Sequence, residues 1–280
     1  MLSAMASAEQ ASVNDVARRV SDKLAFAASS RDGATVDGPN HIDLPLNRDK
    51  GKLAFTLEGV FRPDECQQLI DAAESVGFGV AGIGSTGSQG VHTGLRDSGR
   101  LISADPLLAE ELERRMHPYL PAIWQGRRLV GLNEQLKFLR YRPGQRFVAH
   151  VDGNFRRHAT PNQTFLTVQL YLSPSCIEGG ATNFCGSHGA GKGVRCLPEQ
   201  GRVLVFQHNI LHEGEEVRAG VKYTIRTDAE YGGWTWSAQM QELLGLGCSP
   251  RELRRRMALG VASSLALWAA YRFAGALGSI

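Results

Sequence analysis

His150, Val151 and Asp152 stand in a stretch of alternating polarity, and His212 follows sixty residues after Asp152. On a β-strand, residues i and i+2 project from the same face, so His150 and Asp152 can reach one ion together. His212, at the end of a later strand, is expected to close the triangle from the opposite sheet. Two imidazoles and one carboxylate on one face leave coordination positions open, the donor set that non-haem Fe(II) uses to activate O2 beside a co-substrate. Tyr141 lies nine residues before His150, and Lys222 lies ten residues after His212. Lys222 sits on a strand whose alternate residues are apolar, where an inward charge is costly without a partner. A dicarboxylate such as 2-oxoglutarate would supply that partner. Its keto-acid end chelates the metal, and its distal carboxylate takes a cation from Lys222 and a hydroxyl from Tyr141.

Other candidates are weaker. Arg226 is four residues from Lys222 and shares its strand parity, which makes it the second choice for a carboxylate partner. His208 stands four residues before His212 and reads as a support rather than a ligand. His41, His92, His117, His158 and His188 have no partners at ligand spacing. Arg96 and Arg100 share a face if their segment is helical. Arg156, Arg157 and His158 follow the His-x-Asp directly and read as a mobile basic surface loop, with substrate steering as the sharper alternative.

The elements that must position these residues are legible as periodicities. From Glu134 onward, seven runs alternate with period two: 134–142, 146–152, 164–172, 181–185, 193–197, 202–208 and 221–231. Turn signals (RPGQ, SPSCIEGG, PEQG, VRAG) separate them. So many short strands in so few residues indicate a sandwich or jelly roll rather than a parallel α/β sheet. Upstream, LAFTLEGVF predicts a strand, and Pro63 opens a helix with Cys66, Leu69, Ile70 and Ala73 on one face. LLAEELERRMHPYL predicts a second helix. Residues 29–49 read as an irregular linker, and 76–94 as a long Gly/Ser-rich loop without a phosphate-binding pattern.

Composition narrows the function classes. At 280 residues, with 42% hydrophobic and 21% charged side chains, the chain is long and apolar enough to bury a catalytic core, which excludes wholesale disorder. A formal net charge of +3 is too balanced to imply nucleic-acid binding. The five cysteines include no CxxC pair, which argues against a disulfide framework or a zinc knuckle but leaves room for one disulfide.

With these motifs in place, the chain resembles the prolyl 4-hydroxylase-like branch of the Fe(II)/2-oxoglutarate-dependent dioxygenases over roughly residues 53–232. The resemblance is carried by YRPGQRFVAHVDG (141–153), TVQLYL (167–172), GGATNF (179–184), PEQGRVLVFQH (198–208) and HEGEEVRAGVKYTIRTDAEY (212–231). It implies a mainly β fold with flanking helices (α+β), built on a distorted double-stranded β-helix (jelly-roll, cupin-like) core. It implies that His150, Asp152 and His212 ligate Fe(II), and that Tyr141, Lys222 and Thr182 of the GGxT element bind 2-oxoglutarate. The reaction it implies is hydroxylation of an unactivated C–H bond, with 2-oxoglutarate converted to succinate and CO2. L-ascorbate would keep the iron reduced, and a peptidyl proline leads among peptide, protein and small-molecule substrates. Many members carry an acidic residue where GGATNF has Ala181. Two other classes are weighed beside this one: a jelly-roll metalloprotein with non-oxidative chemistry, and a membrane-anchored binding module with an idle dioxygenase domain.

Three segments follow: an N-terminal helix and linker over 1–50, the oxygenase domain over 51–236, and a C-terminal apolar helix over 237–280. The first, from Ala8 to Ala28, has amphipathic spacing and lacks the basic and apolar regions of a secretory signal. In the last, Ser249-Pro250-Arg251-Glu252 forms a capping box, and Arg251, Arg254, Arg255 and Arg256 flank an apolar run over 257–280. That run is long enough to span a bilayer and fits a tail anchor with the catalytic domain on the cytosolic side. The stripe Leu253, Met257, Val261, Leu265 and Trp268 fits equally an amphipathic helix packed on the domain or a partner.

Overall fold

The computed structural model describes residues 36–80, 97–174, 177–186 and 189–234. The expected N-terminal helix, most of the Gly/Ser-rich loop and the apolar run over 257–280 lie outside the described residues. So do Arg96, His92, His188, Cys176 and Cys248.

The strands are β1 (Asp37–His41), β2 (Ala54–Glu58), β3 (Gly79–Val80), β4 (Gly99–Ala104), β5 (Ile123–Trp124), β6 (Arg127–Leu132), β7 (Gln135–Tyr141) and β8 (Phe147–His150). They continue with β9 (Gln163–Tyr171), β10 (Glu178–Gly179), β11 (Thr182–Gly186), β12 (Gly189–Cys196), β13 (Val203–Gln207), β14 (His212–Gly214), β15 (Val217–Ala219) and β16 (Lys222–Trp234). Among the described residues these make a ten-stranded antiparallel sheet, ordered β1-β2-β13-β9-β16-β7-β4-β3 with β6 and β5 at its flank, a four-stranded sheet ordered β12-β11-β14-β8, and a two-stranded pair of β10 with β15. From β7 onward the chain passes repeatedly between the two: β7, β9, β13 and β16 belong to the large sheet, and β8, β11, β12 and β14 to the small one. That winding is a double-stranded β-helix, as the alternating runs and the resemblance led one to expect.

Two helices back the large sheet. α1 (Pro63–Val76) begins with proline in its first turn, and the Glu65 carboxylate accepts from the Arg62 amide at 2.8 Å. α2 (Pro106–Met116) is capped by Asp105, which accepts from the Leu108 amide at 3.0 Å. Leu69, Leu108, Leu112 and Met116 pack with Leu136, Phe138, Val168, Leu170, Val205 and Ile225 of the sheet. Arg115 of α2 forks onto Glu65 of α1 at 2.7 and 2.8 Å and fixes the helices to each other. Replacing the buried cap, Asp105→Ala, is expected to lower stability by about 1 kcal/mol without affecting ligand binding, as urea denaturation would show.

The strand parity that places apolar residues against the helices turns the intervening residues inward, between the two sheets. On β16 these are Lys222, Thr224, Arg226 and Asp228; on β9 they are Thr167, Gln169 and Tyr171. The large sheet is therefore buried on both faces, apolar outside and largely polar inside.

Three expectations differ from the structure. Asp37–His41, read as irregular linker, is an edge strand paired with β2, so residues 36–50 are not a plain tether. The segment around Arg100 is strand β4 rather than helix; it pairs with β7 and places Arg100 beside Leu139. The loop after the His-x-Asp is pinned: Arg157 pairs with Glu134 and, at 2.7 Å, with Glu230. Cys66, Cys185 and Cys196 are buried free thiols. Among the described residues, no helix is long and apolar enough to cross a membrane.

Candidate active site

His150 ends β8 and His212 begins β14, and the two are directly paired across these neighbouring strands. The expectation that His212 reaches over from the opposite sheet is thus corrected: both imidazoles come from the small sheet. Their ring centroids lie 4.3 Å apart. Asp152 lies just past the end of β8, where its amide donates to the His208 carbonyl at 2.9 Å. One ligand atom from each of His150, Asp152 and His212 falls within 4.8 Å of the others. His150 Nε2 is 3.8 Å from Asp152 Oδ1, and His212 Nε2 is 3.7 Å from Asp152 Oδ2. These separations exceed a hydrogen bond and suit a shared ion.

The imidazoles are prepared for that task. His150 Nδ1 is 2.8 Å from the Val148 carbonyl, and His212 Nδ1 is 3.0 Å from the Ile210 carbonyl. A carbonyl can only accept, so each Nδ1 carries the proton and each Nε2 presents a lone pair. Burial, reinforced by the neighbouring His212, brings the His150 pKa down to about 4. Burial lowers His212 as well. Both rings are therefore neutral at pH 7, the state a metal requires. Burial opposes ionisation of Asp152, but Arg226, His212 and the Thr167 hydroxyl outweigh it and hold the carboxyl below its ordinary range. Thr167 Oγ1 donates to Asp152 Oδ2 at 2.5 Å, and Arg226 Nη2 lies 3.0 Å from Oδ1.

The triad opens into a cavity of about 560 Å³ between the sheets. Lys222 and Tyr141 are opposed residues on β16 and β7, and both line this cavity. Lys222 is only 4% exposed, and among the described residues no carboxylate lies within ion-pair distance of its ammonium. The rings of Tyr141 and Tyr171 flank the ammonium at 5.4 and 5.5 Å. Burial brings its pKa down to about 8. Gly180 makes room for the lysine stem: a Cβ there would stand 3.2 Å from Lys222 Cδ. Thr182 also lines the cavity, with its hydroxyl 2.7 Å from the Tyr171 hydroxyl and 3.1 Å from the Gln169 amide nitrogen.

Arg226, the second choice for a carboxylate partner, already faces two: its Nη2 stands 3.0 Å from both Asp152 Oδ1 and Asp228 Oδ1. His208 is turned away from the triad, with Nδ1 2.8 Å from Asn154 Oδ1 and Nε2 3.3 Å from Asp228 Oδ1. Sequence reasoning missed Thr167, Gln169 and Tyr171. Their shared parity in TVQLYL could have placed them on one face, but not opposite the triad. Val151 and Phe155, 53% and 37% exposed, lie at the open end of the cavity.

Residues 136–227 match the family model of the 2OG-Fe(II) oxygenase superfamily. Comparison with curated proteins finds no match. Among solved structures, the viral collagen prolyl hydroxylase of Paramecium Bursaria Chlorella virus-1, in its 2OG complex, shares 22% identity. That alignment spans 65% of this chain and 97% of the other, with a TM-score of 0.45. A Pseudomonas putida prolyl-4-hydroxylase shares 16% identity over 67% of this chain and 97% of its own, with a TM-score of 0.47. A Trichoplax adhaerens prolyl hydroxylase, solved with a hypoxia inducible factor oxygen degradation domain peptide fragment, shares 16% over 72% and 90%, with a TM-score of 0.49. The segment from 136 to 227 that matches the 2OG-Fe(II) oxygenase superfamily model carries all three residues of the triad together with Tyr141, Thr182 and Lys222.

Proposed function

We propose that the chain is an Fe(II)- and 2-oxoglutarate-dependent oxygenase that hydroxylates an unactivated C–H bond, with a peptidyl proline as the leading substrate. One observation carries the reading: a buried ammonium with no carboxylate at ion-pair distance among the described residues, Lys222, faces the same cavity as a His-Asp-His donor set. In this reading, bound iron and 2-oxoglutarate supply the oxidising power, with O2 consumed and succinate and CO2 released. His150, Asp152 and His212 hold the metal through Nε2, one carboxylate and Nε2. Lys222 and the Tyr141 hydroxyl bind the distal carboxylate of the co-substrate. Thr182, steadied by Tyr171 and Gln169, closes the wall beside them. The exposed side chains of Val151 and Phe155 at the open end suit an apolar ring such as proline. Incubation with peptide libraries under Fe(II), 2-oxoglutarate and ascorbate should give products heavier by +16 Da in step with succinate. Succinate without any hydroxylated peptide would redirect the search to small molecules, and absence of both would overturn the reading.

The lysine gives this function a pH signature. Its pKa is about 8 in the folded protein, below its ordinary value of 10.5, and only the protonated form pairs with a carboxylate. The kcat/KM for 2-oxoglutarate is expected to fall about tenfold per pH unit above pH 8, since this ratio reports ionisations of the free enzyme. Lys222→Arg should move the fall to higher pH. The stability sign is opposite. Between about pH 8 and 10.5 the unfolded chain holds the proton and the folded one does not, so the ligand-free protein gains stability as pH rises through that window.

We also propose that the apolar run over 257–280 associates with a membrane, leaving the catalytic domain on the cytosolic side. Carbonate extraction of the chain with and without residues 250–280 tests this. Full-length protein recovered in the soluble fraction would overturn it.

A further inference from the structure

Behind the triad, the large sheet carries a buried line of charge that metal holding alone does not require. Arg226 Nη2 stands 3.0 Å from Asp152 Oδ1, 3.0 Å from Asp228 Oδ1 and 3.3 Å from the Thr167 hydroxyl. Asp228 continues the line, with His208 Nε2 3.3 Å from Oδ1 and Lys137 Nζ 3.8 Å from Oδ2. Strand geometry fixes the order: Arg226 and Asp228 are both inward residues of β16, and Arg226 lies across from Gln169 and Lys137. The guanidinium touches the Asp152 carboxylate directly, whereas the Asp228 carboxylate is reached through the guanidinium.

We propose that Arg226 is a positioning residue that biases bound iron toward its ferrous state. The inference rests on iron occupying the His150–Asp152–His212 site. Two effects share one sign. A fixed cation one carboxylate away from the metal opposes the higher charge of Fe(III) more than that of Fe(II). Asp228, standing farther off, cancels only part of that field. In addition, Arg226 and Thr167 each engage a lone pair on Asp152, which makes the carboxylate a poorer donor and again favours the lower oxidation state. A ferrous bias serves an oxygenase whose iron must be Fe(II) when the co-substrate arrives.

The test is a mediated redox titration of the full-length, iron-loaded protein without 2-oxoglutarate or O2, reading high-spin Fe(III) by electron paramagnetic resonance. At a fixed solution potential, Arg226→Gln should raise the ferric-to-ferrous ratio about threefold or more. Asp228→Asn removes a negative charge and should lower the ratio by a similar factor. Arg226→Lys should stay close to the parent. Zn(II) affinity, measured in parallel, reports whether each variant keeps its ligands in place. A merely structural role would move Arg226→Gln and Asp228→Asn in the same direction, and that result overturns the inference. So does an unmoved ratio in Arg226→Gln with Zn(II) affinity retained. If Arg226→Gln does not fold, Asp228→Asn decides on its own sign. Failure of the parent protein to take up iron would instead sink the proposed function on which this rests.

Discussion

Asp152→Ala is expected to abolish succinate production while leaving the domain folded. The carboxylate is the only anion among the three candidate ligands, and its removal leaves two neutral imidazoles, which hold a divalent ion poorly. Loss of even an outer partner of a metal ligand costs about 10–100-fold, so losing the ligand itself should cost more than about 100-fold. The fold should survive because Arg226 keeps Asp228 as its partner and the Asp152 backbone amide keeps the His208 carbonyl. Circular dichroism and Zn(II) titration separate the two effects: ellipticity is retained and metal affinity is lost. Near-normal 2-oxoglutarate turnover by this variant under saturating iron would show that the metal is held elsewhere. His150→Ala should behave alike, without disturbing the Arg226 pair.

Lys222→Met should raise the KM for 2-oxoglutarate by about 10²–10⁴-fold, the equivalent of the about 3–5 kcal/mol cost of removing one partner from a buried ion pair. Methionine keeps the length of the stem that passes Gly180, so the loss reads the charge rather than the packing. The same substitution should stabilise the ligand-free protein, because it removes a buried ammonium whose desolvation the distant Glu215 carboxylate offsets only in part. A lysine with a merely structural role would show the reverse on stability and nothing on KM. Tyr141→Phe removes one hydrogen bond to a charged group and should cost about 1–2 kcal/mol in the same assay. Negligible effects from both would mean that the co-substrate carboxylate binds elsewhere, with Arg226 next to be tested.

What was legible in the chain follows from what is local. Period-two alternation located the strands of both sheets, because inward and outward faces differ in polarity over most of β7, β9, β13 and β16. Proline at the first turn located α1, and the apolar spacing of LLAEELERRMHPYL located α2. Strands β4 and β6 escaped notice because GRLISA and RRLVGL mix charge or polarity into their alternation. The His-x-Asp spacing was readable, since a separation of two residues at the end of β8 keeps both side chains at one site. The direct pairing of His150 with His212 was not, because register between distant strands is settled by packing. The choice between Lys222 and Arg226 shows the same limit. Parity puts both on one face of β16, yet only the folded arrangement shows Arg226 engaged by two carboxylates while the Lys222 ammonium has none at ion-pair distance among the described residues.

The two-sided burial of the large sheet bears on how such a domain evolves. Because helix-packing and cavity-lining residues alternate along each strand, a point mutation at Gln135 or Gln169 alters the cavity wall and leaves the helix-backed layer untouched. Substrate preference can therefore drift by single substitutions at little cost to folding. Insertions are another matter. One extra residue before Lys222 would carry Tyr223, Ile225 and Thr227 into the positions now held by Thr224, Arg226 and Asp228, and would turn Lys222 itself off the inward face. Co-substrate cation, ligand brace and apolar packing would be lost in one event, so length variation in this lineage should collect in the loops between strands and be purged from β16.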